Sequence, residues 1–218
     1  MLVIALAIVV WFFLPSRHRL PPRHRAGKSP VVLAQPAGAV SSGFETSAEG
    51  WRAASVPTNG PYDAPVNEAE PTYRGGGGNP GGYLHVEELG AGTTYWVAPP
   101  QFLGDRSGAY GGTLSFDMCS QWERSAHHAR PDVVLAGAGL VLVYDIPENP
   151  TREWRTFRVP LVETAGWRKN AGDGPAASRG EFLRVLGSLN LLRIRAEYVD
   201  GIDSGNLDNV HLTRRGAR

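Results

Sequence analysis

The sequence has a single cysteine, Cys119, among its 218 residues. One thiol excludes an intramolecular disulfide and a zinc site built on cysteines. The folded part of the chain also lacks a basic surplus. Five of the 22 basic residues lie before residue 41, where there is no acid, so residues 41–218 have 17 bases and all 21 acids. A nucleic-acid-binding domain needs a basic face to neutralise phosphates, so this class of protein is disfavoured.

An uncharged apolar run opens the chain at residues 1–14, and a basic stretch from Arg17 to Lys28 follows it. The run suits the apolar region of a signal peptide better than a membrane span, which needs about 20 residues. By the positive-inside rule, the basic flank would instead keep the following residues in the cytoplasm. We therefore expect a signal or membrane-anchor segment at 1–14, with its cleavage and topology left open. Residues 15–42, which are basic and rich in proline, are predicted to be a linker.

Residues that break helices and populate turns are unusually frequent in the chain. The chain has 27 glycines and 17 prolines, which populate turns, while its hydrophobic content of 42% is that of a globular protein. This composition predicts many short strands joined by loops.

Short apolar segments recur between turn residues from Phe44 onward, as in a sandwich or barrel. Residues 112–119 alternate apolar and polar side chains, and residues 132–146 have the pattern of a hairpin around a Gly-Ala-Gly turn. Residues 154–162 alternate again and contain a proline, which indicates an edge strand.

One helix is predicted, at 178–189, where a capping-box spacing precedes an apolar stripe. Residues 191–198 and 207–212 return to strand character. Residues 53–82 are dense in proline and glycine and are predicted to be a loop.

The order of several motifs resembles a known family. The segments are YWVAPPQFLGD at 95–105, YGGTLSFD at 110–117, VVLAGAG at 133–139, FLRVLGSL at 182–189, LRIRAEY at 192–198 and LDNV at 207–210. Together they resemble the laminin IV (laminin B) domain, and the resemblance covers nearly all of the predicted folded region.

The resemblance implies an all-β fold, a jelly-roll β-sandwich similar to galactose-binding and carbohydrate-binding modules. It also implies a structural or adhesive role outside the cell and no known catalysis. We expect the domain at 43–213, with a tail at 214–218. The disulfide-rich repeats that usually flank this domain are not present in the sequence, so laminin assembly is not carried over.

The predicted function is non-catalytic, extracytoplasmic binding or adhesion by a membrane-anchored or secreted chain. Extracellular glycans and proteins are the candidate ligands, the membrane is a partner through residues 1–14, and we expect a monomer. Exposed aromatic rings can stack on the apolar faces of sugars, and we expect Trp122 and Tyr73 to be the most exposed rings.

An enzyme of the glycoside hydrolase type on a jelly-roll scaffold is the alternative. It would need two carboxylates at a defined separation, for which Glu87, Glu88 and Glu163 are candidates. The adjacent His127 and His128 lie in a polar segment, where histidines are more often solvated than bound to a metal.

A structural calcium ion is predicted to join the two ends of the domain. Strand alternation places Asp208 on one face with Val210 and Leu212, which are core-type residues, and a buried carboxylate is costly unless it is paired. The Gly-Phe-Glu segment ending at Glu45 resembles the start of many carbohydrate-binding jelly rolls, in which the first glutamate and a last-strand aspartate share calcium. The alternative is that Asp208 accepts hydrogen bonds from backbone amides or pairs with Arg193 or Arg195.

Overall fold

The computed structural model describes residues 39–90, 92–120, 130–199, 203–214 and 216. Two antiparallel sheets pack face to face there, with one α-helix and three short 3-10 helices. This is the predicted all-β jelly-roll sandwich with one short helix. No helix in the described ranges has the length and apolar character needed to cross a membrane. Residues 1–14 and nearly all of the predicted linker lie outside those ranges.

The strands divide unequally between the two sheets. In chain order they are β1 (Val40–Ser42), β2 (Arg52–Val56), β3 (Asn67–Ala69), β4 (Thr72–Arg74), β5 (Tyr83–Glu87), β6 (Thr93–Val97), β7 (Thr113–Ser120), β8 (Val133–Gly137), β9 (Leu140–Tyr144), β10 (Arg155–Pro160), β11 (Arg168–Lys169), β12 (Leu189–Arg195) and β13 (Ser204–Thr213). The six-stranded sheet has the order β10, β7, β13, β5, β4, and β1 pairs with β13. The seven-stranded sheet has the order β11, β9, β8, β12, β6, β2, β3.

The ends of the sandwich lie side by side, because Val40 of β1 is paired with Leu212 of β13. The first strand therefore begins slightly before the predicted domain start at residue 43. The last strand ends at Thr213, the predicted last residue of the domain.

The core fills the space between the two sheets. Along β7 the side chains of Leu114, Phe116 and Met118 face inward and are fully buried, as the alternation of residues 112–119 predicts. Burial of each such side chain contributes roughly 1.5–3 kcal/mol. The indoles of Trp51, Trp96 and Trp167 are buried as well, so half of the tryptophans in the chain serve packing.

The predicted hairpin and helix are confirmed. β8 and β9 pair through a turn in which Ala138 and Gly139 have positive φ angles of 51° and 70°, as a tight hairpin turn requires. The α-helix α1 (Arg179–Gly187) begins at Ser178, whose Oγ accepts a hydrogen bond from the Glu181 amide while the Glu181 carboxylate accepts one from the Ser178 amide. β10 is an edge strand, as its proline indicates.

The prediction of a loop at residues 53–82 is wrong, because β2, β3 and β4 lie within or across that segment. β2 has the sequence Arg-Ala-Ala-Ser-Val, whose small residues have little intrinsic β preference. It is a strand because it lies between β6 and β3 with four of its five residues buried. β3 and β4 are edge strands of three residues each, which is too short for periodicity to detect.

The alternation argument for Asp208 is also wrong. Asp208 is paired with Asp117 and Leu207 with Met118, but the register shifts between Asp208 and His211, where Asn209 has a φ of 47°. This β-bulge changes the side-chain parity, so Val210 and Leu212 face the core while Asp208 lies on the opposite face. Asp208 is nevertheless fully buried, because a loop covers it from outside.

Candidate functional site

The outer face of the six-stranded sheet, turned away from the seven-stranded sheet, has a row of polar side chains across its central strands. His85, Asn206 and Cys119 are neighbours in register on β5, β13 and β7. Asn206 lies between the other two, with its Oδ1 2.9 Å from His85 Nδ1 and its Nδ2 3.4 Å from Cys119 Sγ. Burial raises the pKa of the Cys119 thiol, so the neutral thiol is favoured and a nucleophilic role is not.

This row forms the floor of an open groove of about 460 Å³. The described side chains that line it are Tyr83, His85, Cys119, Ser120, Arg152, Ser204 and Asn206. None of these lining residues is an acid, and several can donate or accept hydrogen bonds. The groove is therefore suited to a polar ligand.

An aromatic pair stands next to the groove. The rings of Tyr83 and Trp154 are 5.5 Å apart between centroids in an edge-to-face arrangement. Trp154 is partly exposed, and its Nε1 donates a 3.0 Å hydrogen bond to the Gly77 carbonyl. Alternation along residues 83–87 would have placed Tyr83 and His85 on one polar face, but this strand was not among those predicted. The approach of Trp154 could not be deduced, because it depends on packing between distant segments.

The glycine-rich segment 75–82 folds over the same face at its other end. Asn79 anchors it: its amide donates to Asp208 Oδ2 at 2.6 Å, its Nδ2 donates to Asp117 Oδ2 at 3.2 Å, and its carbonyl accepts from Asn209 Nδ2 at 2.6 Å. These contacts join β7, β13 and the loop, and they bury Asp208.

Both acids of the predicted calcium site lie against this loop. A methyl group added to Gly81 would lie 2.7 Å from Glu45 Oε2, and one added to Gly78 would lie 2.7 Å from Asp208 Oδ2 and 2.5 Å from the Gly82 carbonyl oxygen. At Gly78 the backbone carbonyl of Gly82 leaves room only for glycine, whereas at Gly81 the near atoms belong to the end of the Glu45 side chain. Glu45 and Asp208, which are far apart in sequence, thus contact the same short segment.

The electrostatics of this acidic cluster, comprising Glu45, Asp117 and Asp208, favour a positive charge. Burial raises the pKa of Asp208, and the nearby charges of Asp117 and Glu45 raise it further, while amide hydrogen bonds from Asn79 and Asn209 lower it. Over the described ranges, no three Asp, Glu, His or Cys side chains converge well enough to hold a metal by themselves. A cation at this position would therefore need backbone carbonyl oxygens in addition to the carboxylates.

The alternative to a calcium site was that Asp208 accepts hydrogen bonds from backbone amides. These bonds are present, since its two oxygens accept from the Asn79 and Asn209 amides. The alternative ion pairs are not formed. Arg193 donates to the Tyr62 carbonyl, and the nearest carboxylate to Arg195 in the described chain is Asp132.

Of the two aromatic residues expected to be most exposed, Tyr73 is not part of the described groove lining. Tyr73 is only partly exposed: its ring packs against the core side of β4, and its hydroxyl donates to the Glu45 carbonyl at 2.8 Å. The expectation of an exposed ring at Tyr73 is therefore wrong, because β4 turns this residue towards the core. Trp122, His127 and His128 lie outside the described residues.

The carboxylates considered for catalysis are not part of the groove. Glu87 and Glu88 line a different depression along β4 and β5. Glu163 lies in the 3-10 helix Glu163–Ala165, where it accepts a 2.6 Å hydrogen bond from the Tyr110 hydroxyl. The described lining of the groove thus lacks the carboxylate pair that a glycoside hydrolase of the common type requires.

A buried charged cluster lies where β12 ends and β8 begins. Asp132 and Arg195 are 3% and 1% exposed, with Arg195 Nη1 3.8 Å from Asp132 Oδ1, and the Arg195 guanidinium lies 4.4 Å from the Tyr198 ring centroid. Burial raises the pKa of Asp132 to about 7, although Arg195 and the amide of Ile146 lower it. Desolvation therefore outweighs this long ion pair.

The raised pKa of Asp132 predicts a pH-dependent stability. The folded state binds a proton at Asp132 below about pH 7 and the unfolded chain only below about pH 4, so stability falls as the pH rises between these values. From pH 5 to pH 7 we expect a loss of roughly 2 kcal/mol in the free energy of unfolding. Urea unfolding of the wild type and of Asp132→Asn at both values measures it. Equal pH dependence in the two proteins would contradict the assignment, because the variant has no proton to lose there.

Comparison with known proteins places this architecture in a family. The sequence profile of laminin B (domain IV) matches residues 95–215. The chain is 35% identical over 133 residues to a basement membrane proteoglycan of Caenorhabditis elegans, covering 59% of this chain and 4% of that protein. It is 37% identical over 123 residues to human laminin subunit gamma-2, covering 54% of this chain and 10% of that protein.

A solved structure agrees with the fold. The L4b domain of human laminin alpha-2 superposes with a TM-score of 0.62 at 16% sequence identity, covering 81% of this chain and 98% of that domain. The chain spans only a small fraction of the full length of the laminin and proteoglycan relatives named above, but nearly all of this single domain. The family profile matches more than half of the chain, and its segments form the strands and helix described above. The chain belongs to the laminin B (domain IV) family.

Proposed function

We propose that the chain is a non-catalytic, extracytoplasmic binding or adhesion module that is secreted or held at the membrane by residues 1–14. Two facts support this: the relatives are named as laminin subunits and basement membrane proteoglycans, and an apolar segment precedes the domain. The observation that carries the proposal is the groove on the outer face of the six-stranded sheet, whose described lining is polar and free of carboxylates.

The ligand that best fits this groove is a glycan. A sugar ring has an apolar face that can stack on Tyr83 or Trp154, and hydroxyl groups that can exchange hydrogen bonds with His85 and Asn206. Trp122 remains a proposed contact, since only Gln121 separates it in the chain from the lining residue Ser120. A protein partner without glycan recognition is the second possibility, and in that case the groove would bind no sugar.

The glycan hypothesis predicts a large effect of Trp154→Ala. Removing an aromatic ring from a sugar-binding surface should weaken binding about tenfold, because stacking and the associated burial of apolar area are lost. A glycan array identifies the ligand, and calorimetric titration of the wild type and the variant measures the change. Val66→Ala, an exposed apolar residue that the described groove lining does not include, should bind as the wild type does.

Three outcomes would count against this assignment. Binding of no glycan would leave the protein-partner function, and equal binding by wild type and Trp154→Ala would place the sugar elsewhere. Hydrolysis of a bound glycan that is abolished by a single carboxylate substitution would restore the enzyme alternative.

We also propose that the acidic cluster holds a structural calcium ion through Glu45, Asp208 and backbone carbonyl oxygens of the glycine turn. The donor set supports this ion, because carboxylates and carbonyls are the hard oxygen ligands that calcium prefers. The fit is supported by the close approach of Glu45 to Gly81 and of Asp208 to Gly78. The bound ion would connect the first residues of the domain, the glycine turn and the last strand, and so stabilise the folded state.

A further inference from the structure

The strand β10 is an edge of the six-stranded sheet with part of its backbone unpaired. β10 pairs with β7 in a register that matches Phe157 with Phe116. The Leu161 amide donates to the Gly112 carbonyl just beyond the strand, and pairing groups alternate along an antiparallel strand. The N–H and C=O groups of Thr156 and Arg158 therefore point away from β7, and they form no hydrogen bond to any other described part of the chain.

The free edge is short and has a definite end. Pro160 has no N–H, and its carbonyl accepts a 2.9 Å hydrogen bond from Trp167 Nε1. The unpaired groups are thus limited to those of Thr156 and Arg158, with which an added strand can form backbone hydrogen bonds.

An open depression of about 420 Å³ runs along this edge. It is lined by Ile146, Pro147, Glu148, Arg155, Thr156, Phe157 and Arg158. The floor of this depression is apolar and consists of Ile146, Pro147 and Phe157. Every second side chain of an added strand would therefore contact apolar atoms.

The charges at this edge select the partner. Arg155 and Arg158 are both exposed; Arg155 pairs with Glu148 at 3.1 Å, while no carboxylate in the described chain lies within 4.0 Å of Arg158. The Arg155–Glu148 pair is exposed on both sides, so it is weak and can exchange partners. Pairing of β10 with β10 of a second copy would bring the arginines of the two chains together, which is unfavourable for directly opposed like charges.

We propose that β10 is a docking edge for an extended acidic segment of another protein, which adds to the six-stranded sheet as a further strand. The backbone groups of Thr156 and Arg158 hold the added strand, and Arg158, on the face of β10 opposite to Phe157, contacts its carboxylates. This surface is on the sandwich edge and shares no described lining residue with the glycan groove, so either function can fail without the other.

The probe is an eight-residue peptide of alternating glutamate and threonine, blocked at both ends and labelled with fluorescein. Fluorescence anisotropy with the full chain should show binding that is at least about tenfold tighter than for the matching lysine–threonine peptide at low salt, and that weakens with added salt. Residue-resolved hydrogen exchange should show slower exchange of the Thr156 and Arg158 amides when the glutamate peptide is bound.

Two variants separate the backbone from the charge. Arg158→Pro removes an outward N–H and the charge, in a strand that already accommodates Pro160, and should weaken binding at least about tenfold. Arg158→Gln removes only the charge and should weaken it about threefold. Arg168→Gln, an exposed arginine on β11 of the other sheet, should leave binding unchanged. A thermal melt of each variant verifies that it is folded.

Unchanged exchange of the Thr156 and Arg158 amides in the wild type would overturn the proposal whatever the variants do. So would equal binding by Arg158→Pro and Arg158→Gln, since charge alone would then explain the affinity. A dimer in sedimentation equilibrium that Arg158→Pro abolishes would show that the edge belongs to a second copy of this chain and not to an acidic partner.

Discussion

Replacing Asp203 by alanine is expected to lower the free energy of unfolding by about 3–5 kcal/mol, because it leaves several buried donors without an acceptor. The carboxylate is fully buried. Its Oδ2 accepts the amides of Tyr198 and Val199 at 2.6 and 3.2 Å, and its Oδ1 accepts the Ser204 amide at 2.7 Å and the Ser120 hydroxyl at 3.4 Å. These bonds close the connection between β12 and β13 and tie it to the end of β7.

Urea unfolding compares Asp203→Ala with a matched control, Asp105→Ala. Asp105 also accepts a backbone amide, that of Ser107 at 2.9 Å, but it is exposed, so water replaces the lost acceptor. The control should therefore lose much less stability. Equal losses in the two variants would show that the buried amides near Asp203 find other partners. Asp203→Asn, which keeps one carbonyl oxygen, should fall between the wild type and the alanine variant.

Calcium is expected to raise the melting temperature of the full chain by roughly 5–11 °C. At a calcium concentration a hundred times its dissociation constant, a ligand that binds only the folded state stabilises it by about 2.7 kcal/mol. For a domain of this size, each kcal/mol shifts the melting temperature by roughly 2–4 °C. The ion would also offset the mutual repulsion of Glu45, Asp117 and Asp208, which contributes to the raised pKa of Asp208.

Thermal unfolding in excess calcium and in chelator measures this shift, on the wild type, on Asp208→Ala and on Asp105→Ala. Asp208→Ala should lose the calcium-dependent shift, whereas Asp105→Ala, an acid outside the cluster, should keep it. Magnesium should be a poorer substitute, because it requires a tighter octahedral arrangement. Identical melting of the wild type in calcium and in chelator would remove the ion and leave Asp208 as an acid held by the Asn79 and Asn209 amides alone.

Local patterns predicted the elements whose own residues determine their conformation. The hairpin of β8 and β9 follows from apolar strands around a turn that tolerates positive φ angles, and the start of α1 follows from the spacing of Ser178 and Glu181. The prediction failed for β2, β3 and β4, because their strand conformation depends on neighbours that are distant in sequence. It failed for the orientation of Asp208 because one bulge reverses the alternation of a strand.

The candidate sites likewise include features that the sequence predicted and features that depend on residues distant along the chain. Glu45 and Asp208 were predicted to act together, and the structure brings both carboxylates against one glycine turn. The groove was not predicted, because His85, Asn206 and Cys119 become neighbours only when three strands pair. The proline in β10 indicated an edge strand, but which of its backbone groups stay unpaired depends on its pairing with β7.

By itself, the sequence determined the class of fold, the main hairpin and the helix, because each of these depends on composition, short periodicity or a local motif, and the resemblance of several segments indicated the family. The tertiary structure alone decided where the bulge falls, which polar side chains line a groove and which backbone groups stay unpaired. These properties arise from pairings between residues that are distant along the chain, and a bulge or a loop packed across a sheet changes them without any change in the local pattern.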